Sequence, residues 1–148
     1  MRTFSHSYCE LDYHAIPIDS CDFAPQGAGR LTLCVPGFYA LADPARHELS
    51  YENALHAPPL LIRGQEGEIE SLRYRQHTVA IGAGDILALF SEPLDERAVA
   101  DVIRRHANAA ARELVARARQ AFGCTFAAVR VVGARSQPLP ELEAVCAA

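Results

Sequence analysis

The sequence predicts an α+β protein in which an antiparallel β-sandwich is followed by a C-terminal helical layer. Short apolar runs separated by turn signals every ~8–12 residues extend as far as Phe90, a spacing typical of an antiparallel sandwich. The run Ile86–Phe90 is apolar at every position, which indicates a strand covered on both faces. From Leu94 onwards the apolar period becomes helical. The length of 148 residues favours one domain, predicted over residues 1–133, with residues 134–148 as a tail.

The first third of the chain predicts a series of short strands joined by tight turns. A weakly alternating run at 13–18 contains Pro17, so it is expected at a sheet edge. The Gly-rich segment 25–29 is typical of a loose hairpin turn, and Pro36-Gly37 ends the next strand. Asp43-Pro44 begins another hairpin turn. The predicted strands of this part are 30–35, 38–42 and 49–53.

Residues 51–96 form the predicted centre of the sheets. Pro58-Pro59 fixes two backbone φ angles and leads into the extended run 60–62. A turn at 64–67 separates this run from a strand through Ile69, Ser71 and Tyr74, and a further short strand is expected at 78–81. Gly84-Asp85 is the turn before Ile86–Phe90.

Two helices and a last strand complete the prediction. Val99, Val102, Ile103 and His106 lie at helical spacing, with Asp95 and Glu96 at the N-terminal end where the helix dipole favours acids. Asn108 is the expected cap of a second helix, which ends at Gly123. The apolar stripe of that helix comprises Leu114, Val115, Ala118 and Phe122, with Glu113 and Arg117 as an exposed pair. The last strand is expected at 125–132.

Composition and charge exclude several classes of function. Half of the residues are hydrophobic and 22% are charged, which argues against disorder. The net charge of −4 gives no basic surface for nucleic acid, and no apolar run is long enough for a membrane span. The start of the sequence does not have the apolar core of a signal peptide. Five cysteines without a Cys-x-x-Cys pair predict reduced thiols and a cytoplasmic protein.

The residues Tyr51-Glu52-Asn53-Ala54-Leu55-His56-Ala57-Pro58-Pro59 are followed by Gly84-Asp85, the apolar strand and Ser91-Glu92-Pro93. With these residues, the stretch from Tyr51 to Glu96 resembles the bacterial SpoIIE kind of metal-dependent protein serine/threonine phosphatases (type 2C). The family inserts a pair of long helices that has no counterpart between Pro36-Gly37 and Phe38. The resemblance therefore implies a shortened type 2C phosphatase-like fold without the central helix pair.

The same resemblance implies which residues are left of a two-metal centre. Mn²⁺ and Mg²⁺ take oxygen ligands, and the family supplies them from four acidic positions. Asp22 matches the first position and Glu92 the third, so these two residues are the candidate metal ligands. Val35-Pro36-Gly37 stands at the second position and Gly123-Cys124 at the fourth, and none of these side chains is a carboxylate. Without the family, Asp22 is a turn residue and Glu92 a solvated residue at a strand end.

Other candidate groups point to structure rather than to chemistry. His56 corresponds to a histidine in a structural turn of the family, and Asn53 beside it is expected to bond backbone groups. Cys124 follows a helix C-terminus, where the dipole disfavours a thiolate nucleophile. His6, His14 and His47 have no zinc-site spacing.

Two functions remain open from the sequence. One is a catalytically degenerate domain of bacterial signalling, with no bound cofactor, that regulates a protein partner by binding it. The other is an active Mn- or Mg-dependent phosphatase that acts on phosphoserine or phosphothreonine of an anti-anti-sigma-like protein. Whether the chain is an enzyme depends on how much of the metal site is left.

Overall fold

The computed structural model describes residues 7–16, 22–54, 59–64, 68–90 and 94–136. In these residues the chain forms two five-stranded antiparallel sheets and two α-helices. The strands are β1 (Ser7–Ile16), β2 (Asp22–Pro25), β3 (Leu31–Val35), β4 (Phe38–Asp43), β5 (Glu48–Asn53), β6 (Leu60–Ile62), β7 (Ile69–Ser71), β8 (Gln76–Ala80), β9 (Ile86–Phe90) and β10 (Phe126–Ser136). The helices are α1 (Glu96–Arg105) and α2 (Ala111–Phe122). The α+β class and the antiparallel pairing agree with the prediction from sequence.

The two sheets differ in how far apart in the sequence their neighbouring strands lie. The first sheet has the order β1-β10-β9-β6-β7, so the first strand of the described residues pairs with the last one. The second sheet has the order β2-β3-β4-β5-β8 and consists of consecutive hairpins followed by β8. The edge position predicted for the first strand is confirmed, although β1 ends at Ile16, before Pro17. Before Phe90 no α-helix occurs among the described residues, in agreement with a missing helix pair.

β9 lies at the middle of the first sheet and is buried on both faces, as its apolar sequence predicts. Leu87 and Leu89 point between the two sheets and pack into the main core. Ile86 and Ala88 point to the other side and pack with Val99, Leu114 and the rest of the helical layer. The molecule is therefore layered as second sheet, first sheet and helices, and the outer face of the first sheet is the face that the helices cover.

The start of α2 differs from the prediction that Asn108 caps it. The N-cap residue is Ala110, whose side chain makes no cap hydrogen bond. Instead, the Ala111 N–H donates to Asp12 Oδ2 on β1 at 2.7 Å. Arg130 on β10 lies 3.5 Å from the same carboxylate oxygen, so the cap is held from the sheet. The prediction of Asn108 as the cap was wrong. Asp12, which accepts the hydrogen bond at the start of α2, is 99 residues away in the sequence, so no local pattern indicates it.

Other helix ends follow the sequence. Asp95 Oδ2 accepts from the Ala98 N–H and caps α1, while Gly123 ends α2 in the left-handed region at φ 75°. The predicted pair Glu113–Arg117 forms at 2.7 Å. The strand β10 continues to Ser136, past the domain boundary predicted at 133, and the remainder of the predicted tail lies outside the described residues. Neither helix in the described ranges has the length and hydrophobicity of a membrane span.

Candidate functional site

One end of the sandwich contains the positions that the sequence matches to a metal centre. Asp22 begins β2, is exposed and lies opposite Cys34 of β3. β1 ends at Ile16, opposite Phe126 at the start of β10, and Phe126 in turn pairs with Phe90 at the end of β9. The Tyr13 ring on β1 lies 4.8 Å from the Phe23 ring on β2, so the end of β1 and the start of β2 lie near one another, at one end of both sheets. We call this the Asp22 end.

The connection between β3 and β4 occupies the second matched position. Val35 pairs with Phe38, so Pro36 and Gly37 alone make the turn, with Gly37 at φ 88°. The Gly37 carbonyl accepts from the Ala54 N–H at 2.6 Å, which fixes the turn to the end of β5. A two-residue turn built on proline and glycine provides no side-chain oxygen, so this position does not supply a carboxylate ligand.

The fourth matched position is occupied by packing residues. Gly123 ends α2, and Cys124 after it is only 5% exposed among the apolar side chains between the helices and the first sheet. A buried thiol in such surroundings behaves as a small hydrophobic side chain. The prediction that Cys124 is not an activated nucleophile is consistent with this burial.

The residues that the structure describes do not by themselves form a two-metal centre. Among the residues that the structure describes, no group of three or more His, Cys, Asp and Glu side chains is arranged to hold a metal ion. Glu92, the second candidate ligand, and His56 lie outside the described residues. Asp22 is thus the matched carboxylate whose position is known. One exposed carboxylate does not by itself position a hard divalent cation for catalysis.

A groove of about 380 Å³ lies beside the Asp22 end, on the second sheet. Its lining includes Cys34, Tyr39, Glu52 and Arg75. Asn53 forms part of its wall, and its Nδ2 donates to the Leu72 carbonyl at 2.7 Å, in agreement with the backbone role predicted for this side chain. One carboxylate and one guanidinium in a shallow groove can bind a polar group. They do not form the set of carboxylates that holds the metal ions of a two-metal phosphatase.

The opposite end of the first sheet contains a buried polar cluster, which we call the Asp85 end. Asp85 accepts hydrogen bonds from the Gly64 N–H at 3.0 Å and the Gly82 N–H at 2.9 Å. Arg63 contacts both Asp85 at 2.9 Å and Glu70 at 2.7 Å. The Asp85 side chain is 8% exposed, so its charge is compensated by Arg63 and by backbone donors rather than by water.

The electrostatics of Arg63 follow from this arrangement. Burial acts to lower the pKa of Arg63, but hydrogen bonds to Glu70 and Asp85 outweigh burial and raise the pKa above its ordinary value. The guanidinium therefore stays charged and acts as a fixed tie between β6, β7 and the turn before β9. From the sequence, Gly84-Asp85 was predicted only as a turn, and its ion pair with Arg63 was missed. The sequence signal for this pair is an arginine directly after one apolar strand and an aspartate directly before another.

Comparison with known proteins supports the architecture at a coarse level. No protein-family model and no curated protein matches the chain. Among solved structures, the chain is similar to the crystal structure of the RsbU and RsbW domains of Rv1364c from Mycobacterium tuberculosis, with a TM-score of 0.52 and 14% identity over 74% of this chain. The alignment covers 39% of that chain, about two fifths of its length. At this identity the similarity concerns the fold alone, and the fold is compatible with a type 2C phosphatase-like sandwich.

Proposed function

We propose that the chain is a SpoIIE-type phosphatase-like signalling domain that is catalytically degenerate and regulates a protein partner by binding it. The observation that carries the proposal is the composition of the Asp22 end. Where a two-metal phosphatase needs several carboxylates, the described residues supply Asp22, a proline-glycine turn and the buried thiol of Cys124. Loss of even outer-shell partners of a metal typically costs ~10–100-fold in affinity or activity, and missing ligands cost more.

The fold comparison supports the signalling part of the proposal. The similar structure is named for RsbU and RsbW domains, and the resemblance in residues 51–96 points to the SpoIIE kind of type 2C phosphatase. Such a pseudophosphatase would bind its partner, a phosphoprotein or an anti-anti-sigma-like domain, without releasing phosphate. The groove with Tyr39, Glu52 and Arg75 is the candidate contact surface at the Asp22 end.

A second candidate function is the active Mn- or Mg-dependent phosphatase acting on an anti-anti-sigma-like protein. The observation that favours it is Asp22 itself, which is exposed at the strand end where the resemblance requires the first ligand. With Glu92, two carboxylates would offer at most two negative charges to two divalent cations. A single weakly held ion polarises phosphate but does not position an attacking hydroxide.

The two functions are separated by manganese titration calorimetry together with hydrolysis of p-nitrophenyl phosphate. We expect negligible turnover in millimolar manganese and no saturable binding heat. The test variant is Asp22→Asn combined with Glu92→Gln, and the control is Asp101→Asn, an exposed carboxylate on α1 outside the matched positions and outside the groove. Manganese-dependent turnover that is present in the parent and in the control but absent in the double variant would establish the active phosphatase.

Partner binding is tested with a purified anti-anti-sigma-like domain in its phosphorylated and unphosphorylated forms. The proposal expects saturable binding of one form with no release of phosphate. Glu52→Arg, which reverses a charge in the groove, is expected to weaken this binding, while Arg112→Glu on the exposed helical surface leaves it unchanged. Absence of binding for both forms would contradict a partner of this class.

A further inference from the structure

The segment Arg73-Tyr74-Arg75, between β7 and β8, is held to the fold by backbone hydrogen bonds. Asn53, which is only 8% exposed, binds it from both sides. The Asn53 Nδ2 donates to the carbonyl of Leu72 at 2.7 Å, and the Asn53 N–H donates to the carbonyl of Arg75 at 2.9 Å. Leu72 is fully buried, and its N–H donates to the Pro59 carbonyl at 2.9 Å. The backbone of this segment is therefore ordered without a ligand.

The side chains of the same segment face solvent. Tyr74 is 60% exposed, and Arg73 and Arg75 are exposed as well. The Tyr74 ring lies 5.0 Å from the ring of His77, which is also exposed. An ordered backbone that presents exposed side chains suits a binding segment, because the loss of backbone freedom has already occurred on folding.

Neither guanidinium of the segment has an acidic partner among the residues that the structure describes. By contrast, Arg46, Arg63 and Arg130 each form an ion pair with a carboxylate at a distance between 2.7 and 3.8 Å. Arg73 and Arg75 form no ion pair and no side-chain hydrogen bond within the described ranges. Two positive charges are thus uncompensated on one ordered segment of a chain whose net charge is −4.

We propose that Arg73-Tyr74-Arg75 binds a short acidic segment of a protein partner, with carboxylates on the two guanidiniums and an apolar side chain on the Tyr74 ring. A guanidinium presents its N–H donors in a planar fork that matches a carboxylate. Arginine and tyrosine are also enriched in protein interfaces. The proposed function requires a protein partner, so this site rests on that function and names the chemistry of the partner's contact segment.

The neighbouring groove favours a protein segment over a nucleic acid. Arg75 lines this groove together with the exposed Glu52. A nucleic acid carries a negative charge at every phosphate and would place phosphates against Glu52, whereas a protein segment can place a basic residue there. The loss of binding expected for Glu52→Arg agrees with a basic residue at this point of the partner. The charges therefore fit a segment of mixed charge whose acidic part is short.

Nuclear magnetic resonance tests the site by titrating the isotope-labelled whole chain with a short peptide in which glutamate alternates with alanine. We expect saturable binding and amide shifts at residues 73–77. Arg73→Gln combined with Arg75→Gln is expected to weaken binding at least about tenfold, because it removes both charged donors. The matched control is Arg112→Gln combined with Arg119→Gln, which removes the same charge from exposed positions of α2. Its affinity is expected to equal that of the parent.

Three further ligands separate carboxylates from other chemistries. The same peptide with glutamine in place of glutamate is expected not to bind. A peptide whose single acidic group is a phosphoserine offers one anion to two guanidiniums, so we expect it to bind more weakly than the glutamate peptide. A single-stranded oligothymidylate is expected to bind more weakly as well, because of Glu52. Tighter binding of the phosphoserine peptide or of the oligothymidylate, or equal binding of the glutamine peptide, overturns the proposal.

The remaining outcomes distinguish this site from the proposed function. Absence of binding by the glutamate peptide, or equal weakening by the two double variants, overturns the acidic site and does not touch the test with the anti-anti-sigma-like domain. Equal binding of that domain by the parent and by Arg73→Gln with Arg75→Gln keeps the proposed function and overturns the site. If the domain does not bind and the glutamate peptide binds at residues 73–77, the site is supported and the class of partner is contradicted.

Discussion

The two ends of the sandwich differ in what their polar residues do. At the Asp85 end, Asp85 is nearly buried and is contacted by Arg63, Gly64 and Gly82. At the Asp22 end, the matched aspartate is exposed and lies opposite Cys34 rather than opposite another carboxylate. The polar groups of the Asp85 end thus form a complete network, whereas Asp22 has no acidic residue opposite it in its strand pair.

This difference has a physical cause. A buried carboxylate that loses its partner leaves an uncompensated charge, so the Asp85 network is needed for folding whatever the protein does. An exposed carboxylate at a strand end contributes little to folding because water solvates it in both states. Substitution of an exposed carboxylate at the Asp22 end is therefore tolerated by the fold and is limited only by the function.

The largest effect is expected for Asp85→Ala. Removing this carboxylate leaves the Gly64 and Gly82 amides without the acceptor that the described structure provides, and Arg63 keeps Glu70 as its carboxylate partner. Breaking a buried ion pair costs about 3–5 kcal/mol. Denaturant unfolding followed by circular dichroism measures the change. Asp22→Ala is the matched control at the other end, and its midpoint is expected to equal that of the parent. Equal losses in both variants would contradict the difference between the ends.

Leu89→Ala tests whether the apolar side chains at the Asp22 end are closely packed although its polar groups form no network. Leu89 is 4% exposed, faces the core between the sheets and lies next to the last residue of β9. A large-to-small change in such a core costs about 2–5 kcal/mol. The control is Leu41→Ala on the half-buried outer face of β4, where a smaller loss is expected. A thermal midpoint that is unchanged in Leu89→Ala would mean that packing, too, is loose at the Asp22 end.

Gly64→Ala tests how closely the Asp85 end is packed. A Cβ atom at residue 64 would lie 2.5 Å from the carbonyl oxygen of Gly84, which belongs to the backbone and has little freedom to move. We expect a loss of about 1–3 kcal/mol, as for overpacking of a core. Gly27→Ala is the control, because its Cβ meets no atom within 4 Å. If both variants unfold at the same denaturant concentration, the close approach of the two glycines is not rigid.

The success of the sequence prediction depended on whether the signal was local. The strand Ile86–Phe90 and the helix end at Gly123 are determined by residues adjacent in the sequence, so both were predicted correctly. The cap of α2 was missed because Asp12 reaches it from β1, across the whole domain. Arg63 and Asp85 are 22 residues apart, and their pairing follows from the register of β6 with β9. The ligand role of Asp22 and Glu92 stays a prediction, because it concerns an ion and not the fold.

The smallest effect concerns Tyr51, which lies between the two ends and responds to the charges of the Asp85 end. Tyr51 is 3% exposed, and its pKa is raised by burial first and also by the carboxylate of Glu70, while a backbone hydrogen bond involving Tyr74 lowers it. A raised pKa means that the folded state holds the phenolic proton more tightly than the unfolded state. The stabilisation is fully present below the unfolded pKa of about 10 and is lost as the pH rises through the folded pKa.

Chemical unfolding from neutral pH to above about pH 10 is therefore expected to show a decline in the free energy of unfolding that Tyr51→Phe reduces. Tyr39→Phe, at an exposed tyrosine, is expected to keep the decline, because Tyr51 is still present. Glu70→Gln removes one source of the raised pKa, so the decline is expected to end at a lower pH than in the parent. An identical pH profile for Glu70→Gln and the parent would mean that the field of the Asp85 end does not reach Tyr51. Burial of the Tyr51 ring, which lies against Phe38, would then account for the raised pKa without a contribution from Glu70.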